Sequence, residues 1–557
     1  MKGTRYIFHV AILLTYLRMC SGQSDDEYPV VEIENGQVRG RSSYTVGENR
    51  RYFSFQGIPF AEPPLGQLRF RAPVKISNWT GILNATEDRS FCVQQSDPVI
   101  GSEDCLFINV YTPSLEGANR TVMVWIYGGS FVTGLSSYTE NGPDYILDEG
   151  VIFVSLNYRL GALGFLSTED AAAPGNWGLK DQLLALQWVQ NNIGYFGGNA
   201  SAVTVFGQSA GAASISYLLQ SDKAAGLFSK VITQSGSSLC LWGLNRRARR
   251  TAFSIGTSLG ISTNNSTVLL EKLREVDYTT LQTTATTVST LITLENPLQG
   301  IFFGPVIEPE SEEAIVVGRS DELFVEGSFQ RVPILTGVNS NEAAAVGDVP
   351  DILRLYLTMY DVGVENLAPI DLNKRFSVRS TAAHIIMYRY FGFGLITIAP
   401  WDQVIKFISD DQWYRPVRRM VQSLSDYVPV YFYKFSYEGN LFGVTNRNFT
   451  GVGHSEELGY IFERNASVNY NVTETDRNVR AITVKLWTNF AKYGDPTPSP
   501  EPLLQNVNWE VAGTDLPNLN YLDINVELAL KQNPFEESME FYDGIYDTYG
   551  DSPYDTY

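Results

Sequence analysis

Three stretches of the chain set a short, nearly continuous apolar run directly against small or polar residues, and each predicts a buried strand that ends in a loop. Residues 202–206 (Ala-Val-Thr-Val-Phe) read as a strand, residues 212–219 read as a helix, and only Gly207-Gln208-Ser209-Ala210-Gly211 lies between them. Residues 121–127 form a second strand that runs into Gly128-Gly129-Ser130-Phe131, and residues 333–338 form a third that leads to Asn339-Ser340-Asn341-Glu342. Leu179, Leu183, Leu186 and Val189 recur at helical spacing, so the segment 181–190 is expected to lay an apolar face on a sheet. Strand and helix signals alternate without a linker or an internal repeat through most of the 557 residues, which predicts one large α/β domain.

The strand–turn–helix around Ser209 makes that serine a candidate nucleophile. A turn this sharp leaves no room for side chains two residues from its apex, hence the glycines, and the helix that follows offers unpaired amides and a partial positive charge to an oxyanion formed beside the hydroxyl. A serine needs a base and a group that orients the base. Of the three histidines, His9 lies in an N-terminal segment read as removed, and His384 sits in an apolar helical pattern as a hydrogen-bonded packing residue. His454 lies in the glycine-rich polar loop Gly451-Val452-Gly453-His454-Ser455-Glu456-Glu457 and is the candidate base. Glu342, at the C-terminal edge of a strand and between Ser209 and His454 in chain order, is the best candidate acid. Asp348 and Asp411 compete with it but read more simply as solvated carboxylates or helix caps. The amides of Gly129, Ser130 and Ala210 are the candidate oxyanion donors.

These residues carry a resemblance. Phe55-Gln56-Gly57-Ile58-Pro59-Phe60-Ala61-Glu62-Pro63-Pro64, Ser102-Glu103-Asp104-Cys105-Leu106, Tyr127-Gly128-Gly129, Asn157-Tyr158-Arg159, the run from Pro174 through Gly175-Asn176-Trp177-Gly178-Leu179-Lys180-Asp181 to Gln182, the turn at Ser209 and Gln234-Ser235-Gly236-Ser237 together resemble the carboxylesterase and cholinesterase family of α/β-hydrolases over most of the chain. The resemblance implies a large, mostly parallel central sheet flanked by helices and hydrolysis of small-molecule carboxylic esters through an acyl-enzyme. It implies structural ion pairs Arg69 with Glu103 and Arg159 with Asp181, a disulfide loop closed by Cys92 and Cys105, and an acyl pocket at Trp242, Gln299 and Ile301, where the last two are smaller than the aromatics of tighter members. Glu342 and His454 fall where that family keeps its acid and base. Two departures stand out: Ser130 replaces a third glycine or alanine, and Gln208 replaces the usual Glu before the nucleophile, a feature that looks like the juvenile hormone esterases within the family. The loop from Cys92 to Cys105 contains no tryptophan, so choline esters are not expected as preferred substrates. The rival reading is an adhesion protein on the same fold, as in the neuroligin branch, whose catalytic set is degraded; here serine, acid and base are all present.

Composition narrows the setting. Residues 1–22 combine basic Lys2 and Arg5 with a short apolar run and small residues at Ser21 and Gly22, and read as a secretory signal peptide preceding a domain over 23–540. Asn78, Asn84, Asn119, Asn199, Asn264, Asn265, Asn448, Asn465 and Asn471 each begin an N-x-Ser/Thr sequon, which suits a secreted glycoprotein. No later segment is apolar for long enough to span a bilayer. Cys240 is left over as a buried free thiol. The formal net charge of -20 argues against nucleic acid as a partner. Residues 541–557 alternate tyrosines with aspartates and read as a disordered, solvated tail open to tyrosine sulfation. No metal-ligand spacing and no cofactor motif is present in the sequence, and the oligomeric state is not legible in it.

Overall fold

The computed structural model of the chain describes residues 27–117, 119–295, 297–298, 300, 302–344, 350–441, 449–464, 471–514 and 518–555. Fourteen strands are present among them: β1 (Val30–Ile33), β2 (Gly36–Arg39), β3 (Arg41–Tyr44), β4 (Arg51–Pro59), β5 (Ile82–Asn84), β6 (Phe107–Thr112), β7 (Arg120–Ile126), β8 (Ile152–Leu156), β9 (Gly198–Gln208), β10 (Lys230–Gln234), β11 (Ile334–Asn339), β12 (Val430–Phe435), β13 (Asn520–Ile524) and β14 (Ala529–Gln532). The main sheet has eleven strands in the order β14-β13-β12-β11-β10-β9-β7-β8-β6-β4-β3, and β1, β2 and β5 form a small second sheet. From β13 to β8 every neighbouring pair is parallel, while β14 and the β6-β4-β3 edge run antiparallel. The central strands are buried along nearly their whole length, as expected of a sheet covered on both faces.

Seven helices matter below: α1 (Trp177–Asn192), α2 (Ala210–Gln220), α3 (Phe376–Phe391), α4 (Trp401–Ser409), α5 (Arg415–Ser425), α6 (Glu474–Tyr493) and α7 (Glu536–Tyr549). The apolar stripe Leu179, Leu183, Leu186 and Val189 is buried on α1, as its spacing predicts, and α1, α2 and α6 all contact β9. Because β7, β9, β10, β11 and β12 are parallel and in register, their C-terminal ends meet along one edge; Ile126 pairs with Gly207, Gly207 with Thr233 and Gln234 with Gly337. That edge is where an open α/β sheet presents its loops to a ligand.

The expectation of a disordered tail is corrected. Residues 541–549 belong to α7, where Tyr542, Ile545 and Tyr546 are buried at helical spacing. The Tyr542 and Tyr546 rings lie against the Arg415 guanidinium of α5, Arg415 donates to the Tyr546 hydroxyl at 2.9 Å, and Arg418 pairs with Asp543. Alternating Tyr and Asp is a pattern compatible with solvent, yet tyrosine carries an apolar body that packs here, while Asp543 reaches Arg418 and Asp547 is exposed. The Tyr542 and Tyr546 hydroxyls are therefore shielded from any sulfating enzyme. Further along, Asp555 pairs with Arg319 at 3.0 Å.

Candidate active site

β9 ends at Gln208 and α2 begins at Ala210, leaving Ser209 alone at the turn with φ 58° and ψ -124°, a strained conformation of the kind concentrated at reactive sites. The turn is possible only because its flanks lack side chains: a Cβ on Gly211 would sit 2.0 Å from the Ile126 carbonyl oxygen. Ser209 itself is only 7 % exposed, so the hydroxyl lies beneath the surface instead of projecting from it. The loop after β7 arrives alongside. A Cβ on Gly128 would meet the Gln208 carbonyl at 2.6 Å and Ser209 Cβ at 2.9 Å, and Gly129 and Ser130 follow with φ of 103° and 55°. The three candidate oxyanion donors thus belong to two segments that touch at Ser209.

Glu342 and His454 come from loops beyond β11 and β12 and are zipped together by backbone. His454 N–H donates to the Glu342 carbonyl at 2.9 Å and Asn341 N–H to the Val452 carbonyl at 2.9 Å, while the Asn339 side chain donates to the Gly453 carbonyl at 2.8 Å. His454 Nδ1 lies 2.7 Å from Glu342 Oε2, and Glu342 Oε1 accepts from Asn339 N–H at 2.7 Å. Glu342 is fully buried with both oxygens committed, so Nδ1 carries the proton and Nε2 presents a lone pair. That is the tautomer a general base requires. The other carboxylates weighed for this place are elsewhere: Asp411 is buried and paired with Arg415, neither solvated nor a helix cap, and Asp348 lies outside the described residues. His384 is on α3 as its pattern predicts and hydrogen-bonds the Ser380 carbonyl at 2.7 Å, but its ring is exposed; the packed face of that helix is Ala382, Ala383, Ile386 and Tyr390.

Further side chains meet these residues. Gln208 Nε2 approaches His454 Nε2 to 3.1 Å. Glu457 is completely buried behind Glu342, accepting from Asn339 Nδ2 at 2.6 Å and Gln234 Nε2 at 3.1 Å, and Trp487 donates to Gln234. Burial, reinforced by the Glu342 charge, pushes the Glu457 carboxyl up to about 7. The Trp413 ring packs on His454 with centroids 5.0 Å apart and on Trp242 at 6.3 Å. Glu457 stands in the same glycine-rich polar loop as the candidate base, where nothing local marks one glutamate as buried, and Trp413 is 41 positions from His454 in an ordinary amphipathic stretch.

Among the residues assigned to an acyl pocket, Trp242 donates its indole N–H to the Gln412 carbonyl at 3.1 Å, and a Cβ on Gly236 would lie 3.1 Å from its ring and 2.4 Å from the Ser209 carbonyl. Gln299 and Ile301 lie outside the described residues. The two ion pairs are present and bidentate, Arg69 with Glu103 at 2.7 and 2.6 Å and Arg159 with Asp181 at 2.8 and 2.7 Å. Cys92 and Cys105 are joined, and Cys240 is a buried thiol whose ionisation is suppressed by burial.

Comparisons with known proteins agree with this architecture. The family model described as the carboxylesterase family matches residues 27–542. Juvenile hormone esterase of Tribolium castaneum is 34% identical over 530 residues, covering 90% of this chain and 88% of the relative, and esterase FE4 of Myzus persicae is 33% identical over 84% of this chain and 85% of its own. A crystal structure of juvenile hormone esterase from Manduca sexta, with OTFP covalently attached, superposes with a TM-score of 0.83 at 27% identity, covering 94% of this chain and all of that one. An eleven-stranded α/β-hydrolase sheet with a serine turn at its edge defines the class. Within it, the chain belongs to the carboxylesterase family and is a carboxylic ester hydrolase.

Proposed function

We propose that Ser209 attacks the ester carbonyl, that His454 Nε2 takes its proton and returns it to the leaving alcohol, and that Glu342 orients the imidazole and stabilises the imidazolium. The amides of Gly129, Ser130 and Ala210 hold the oxyanion, and water then hydrolyses the acyl-enzyme by the same route. The observation that carries this reading is the 2.7 Å bond from His454 Nδ1 to buried Glu342, which leaves Nε2 as acceptor on the sheet edge that ends in Ser209.

We propose further that the substrate is an ester of the juvenile hormone type, in preference to the esters of a general detoxifying or digestive carboxylesterase, and that the acyl pocket is roomy because Gln299 and Ile301, two of the residues assigned to it by resemblance, are smaller than the aromatics of tighter family members. Support comes from Gln208 before the nucleophile and from the Tribolium and Manduca relatives. The mature protein is secreted after loss of residues 1–22 and carries N-linked glycans. Asn78, Asn84, Asn119, Asn264, Asn265 and Asn471 are exposed and Asn199 is half-buried, whereas Asn448 and Asn465 lie outside the described residues. Among the described residues no helix is long and apolar enough to cross a membrane.

The test is hydrolysis of p-nitrophenyl esters of increasing acyl length, and of a juvenile hormone ester, by wild-type and Ser209→Ala protein, with an organophosphate titrating active serines. Activity and stoichiometric labelling that both vanish in the variant support the serine. Rates that collapse from acetyl to butyryl refute the roomy pocket, and a juvenile hormone ester left intact refutes the substrate assignment.

A further inference from the structure

Between α4 and α5 the helix widens into a π-turn, Asp410–Tyr414. Such turns insert one extra residue into a helix and recur at functional sites. Residues within it and just before it are tied to the active centre. Ala343 N–H donates to Ser409 Oγ at 3.0 Å just before it, and Glu342 N–H to the Tyr414 hydroxyl at 3.3 Å. The Gln412 carbonyl accepts from Trp242, and its side chain donates to the Leu298 carbonyl at 2.9 Å. Behind the turn, Asp411 and Arg415 are paired and buried, and Arg415 is held by Tyr546 of α7. Trp413 is the residue this frame presents to His454, 5.0 Å between centroids with the planes at 47°. Its indole N–H is buried and has no partner among the described residues, so packing of the ring sets its place.

We infer that Trp413 is a positioning residue for catalysis: its indole ring, tilted 47° to the imidazole at 5.0 Å, steadies His454 and stabilises the imidazolium that forms when the imidazole takes the Ser209 proton. An aromatic face within about 6 Å of a cation attracts it, tryptophan most strongly, and a neutral imidazole gains much less. The contact is therefore worth more once the proton has moved, and only interactions that strengthen in the transition state raise the rate of the chemical step. The charge it helps to hold is otherwise met by Glu342 at 2.7 Å and, further back, by Glu457; Gln208 and Gln234 are neutral, Glu456 is turned to Gly453 N–H, and the π-turn's own Asp410 and Asp411 are engaged by Lys406 and Tyr390 and by Arg415. Removing the ring weakens the protonated form. The rising limb of the rate against pH then moves to lower pH while the maximal rate falls.

This inference rests on His454 being the base, so the two are separated in one experiment. kcat and KM are measured against pH for the full-length wild type and for Trp413→Leu and Trp413→Phe, each normalised by organophosphate titration of Ser209. For Trp413→Leu, the expected result is a midpoint about half a unit to one unit lower and a kcat about 3- to 10-fold lower, with KM for p-nitrophenyl acetate little changed. Trp413→Phe, which keeps a weaker π-face, is expected to fall between Leu and wild type. A Leu variant with the wild-type midpoint, or one altered in KM and acyl-length preference alone, overturns the inference. If Trp413→Leu does not fold, the Phe variant decides alone, because an unmoved midpoint there has the same consequence. A His454→Ala protein that keeps full activity would instead defeat the assignment of the base.

Discussion

Gln208 Nε2 stands 3.1 Å from His454 Nε2 and 3.5 Å from Nδ1, so the side-chain amide lies against the imidazole instead of meeting it end-on. The amide therefore lies over the ring and off the axis of the in-plane Nε2 lone pair, which on the proposed mechanism takes the serine proton. A glutamine here is neutral; a glutamate would place a negative charge beside a developing cation. Gln208→Glu is therefore expected to favour the protonated imidazole and to move the rising limb of the kcat/KM profile about one unit or more towards higher pH, with activity lost on the acid side. A pH–rate profile on both proteins checks this, and an unmoved limb would show that residue 208 does not sense the charge.

Glu342 accepts from both Asn339 and His454 while completely buried. Glu342→Gln keeps the volume but presents an amide where Nδ1–H needs an acceptor, which favours the wrong tautomer or an unpaired donor. The expected loss in kcat is about 10²- to 10⁴-fold with KM little altered and the fold intact, read from steady-state kinetics beside circular dichroism.

Glu457 offers a prediction about stability. Its carboxyl rises from an ordinary 4.5 to about 7 in the fold, so the native state holds the proton more tightly than the unfolded chain. The stabilisation from that proton is complete below about 4.5 and is lost as pH rises through 7. Against Glu457→Gln, which stays neutral, the wild type is expected to lose up to about 3 kcal/mol of relative stability between pH 4.5 and 7. Denaturant midpoints of both proteins across that range test the sign. A constant difference would mean that Glu457 does not titrate in this window.

The Cys92–Cys105 bridge closes a loop over a sequence separation of 13. Cross-linking a loop of that size removes entropy from the unfolded chain worth about 3 kcal/mol. Replacing both cysteines by serine is expected to lower the thermal inactivation temperature while leaving the kcat of surviving enzyme near wild type, since neither cysteine touches Ser209, Glu342 or His454. Activity measured after graded heating is the check.

Chain-local features were legible in the sequence. The turn at Ser209 is written in five consecutive residues because its geometry excludes side chains locally, and β7, β9 and β11 show as apolar runs because strands buried on both faces need no alternation. His454 could be separated from His384 by the composition of their loops and helices alone, although the exposure of His384 could not. The C-terminal segment is ambiguous for a related reason: one tyrosine is equally compatible with solvent and with burial, and only the stacking of α7 on Arg415 decides.

What tertiary structure alone decided is which distant residues share the edge of the sheet. Parallel register brings the ends of β9, β11 and β12 together, and there Gln208 meets the imidazole, Glu457 is buried behind Glu342, and a widened helix turn 41 residues before His454 delivers Trp413 to its ring. None of these contacts has a local signature, because burial, dielectric and ring packing belong to the space between elements and not to any one of them. The chain's own order determined which groups can perform the chemistry; the packing of the sheet determined how each is charged, oriented and held.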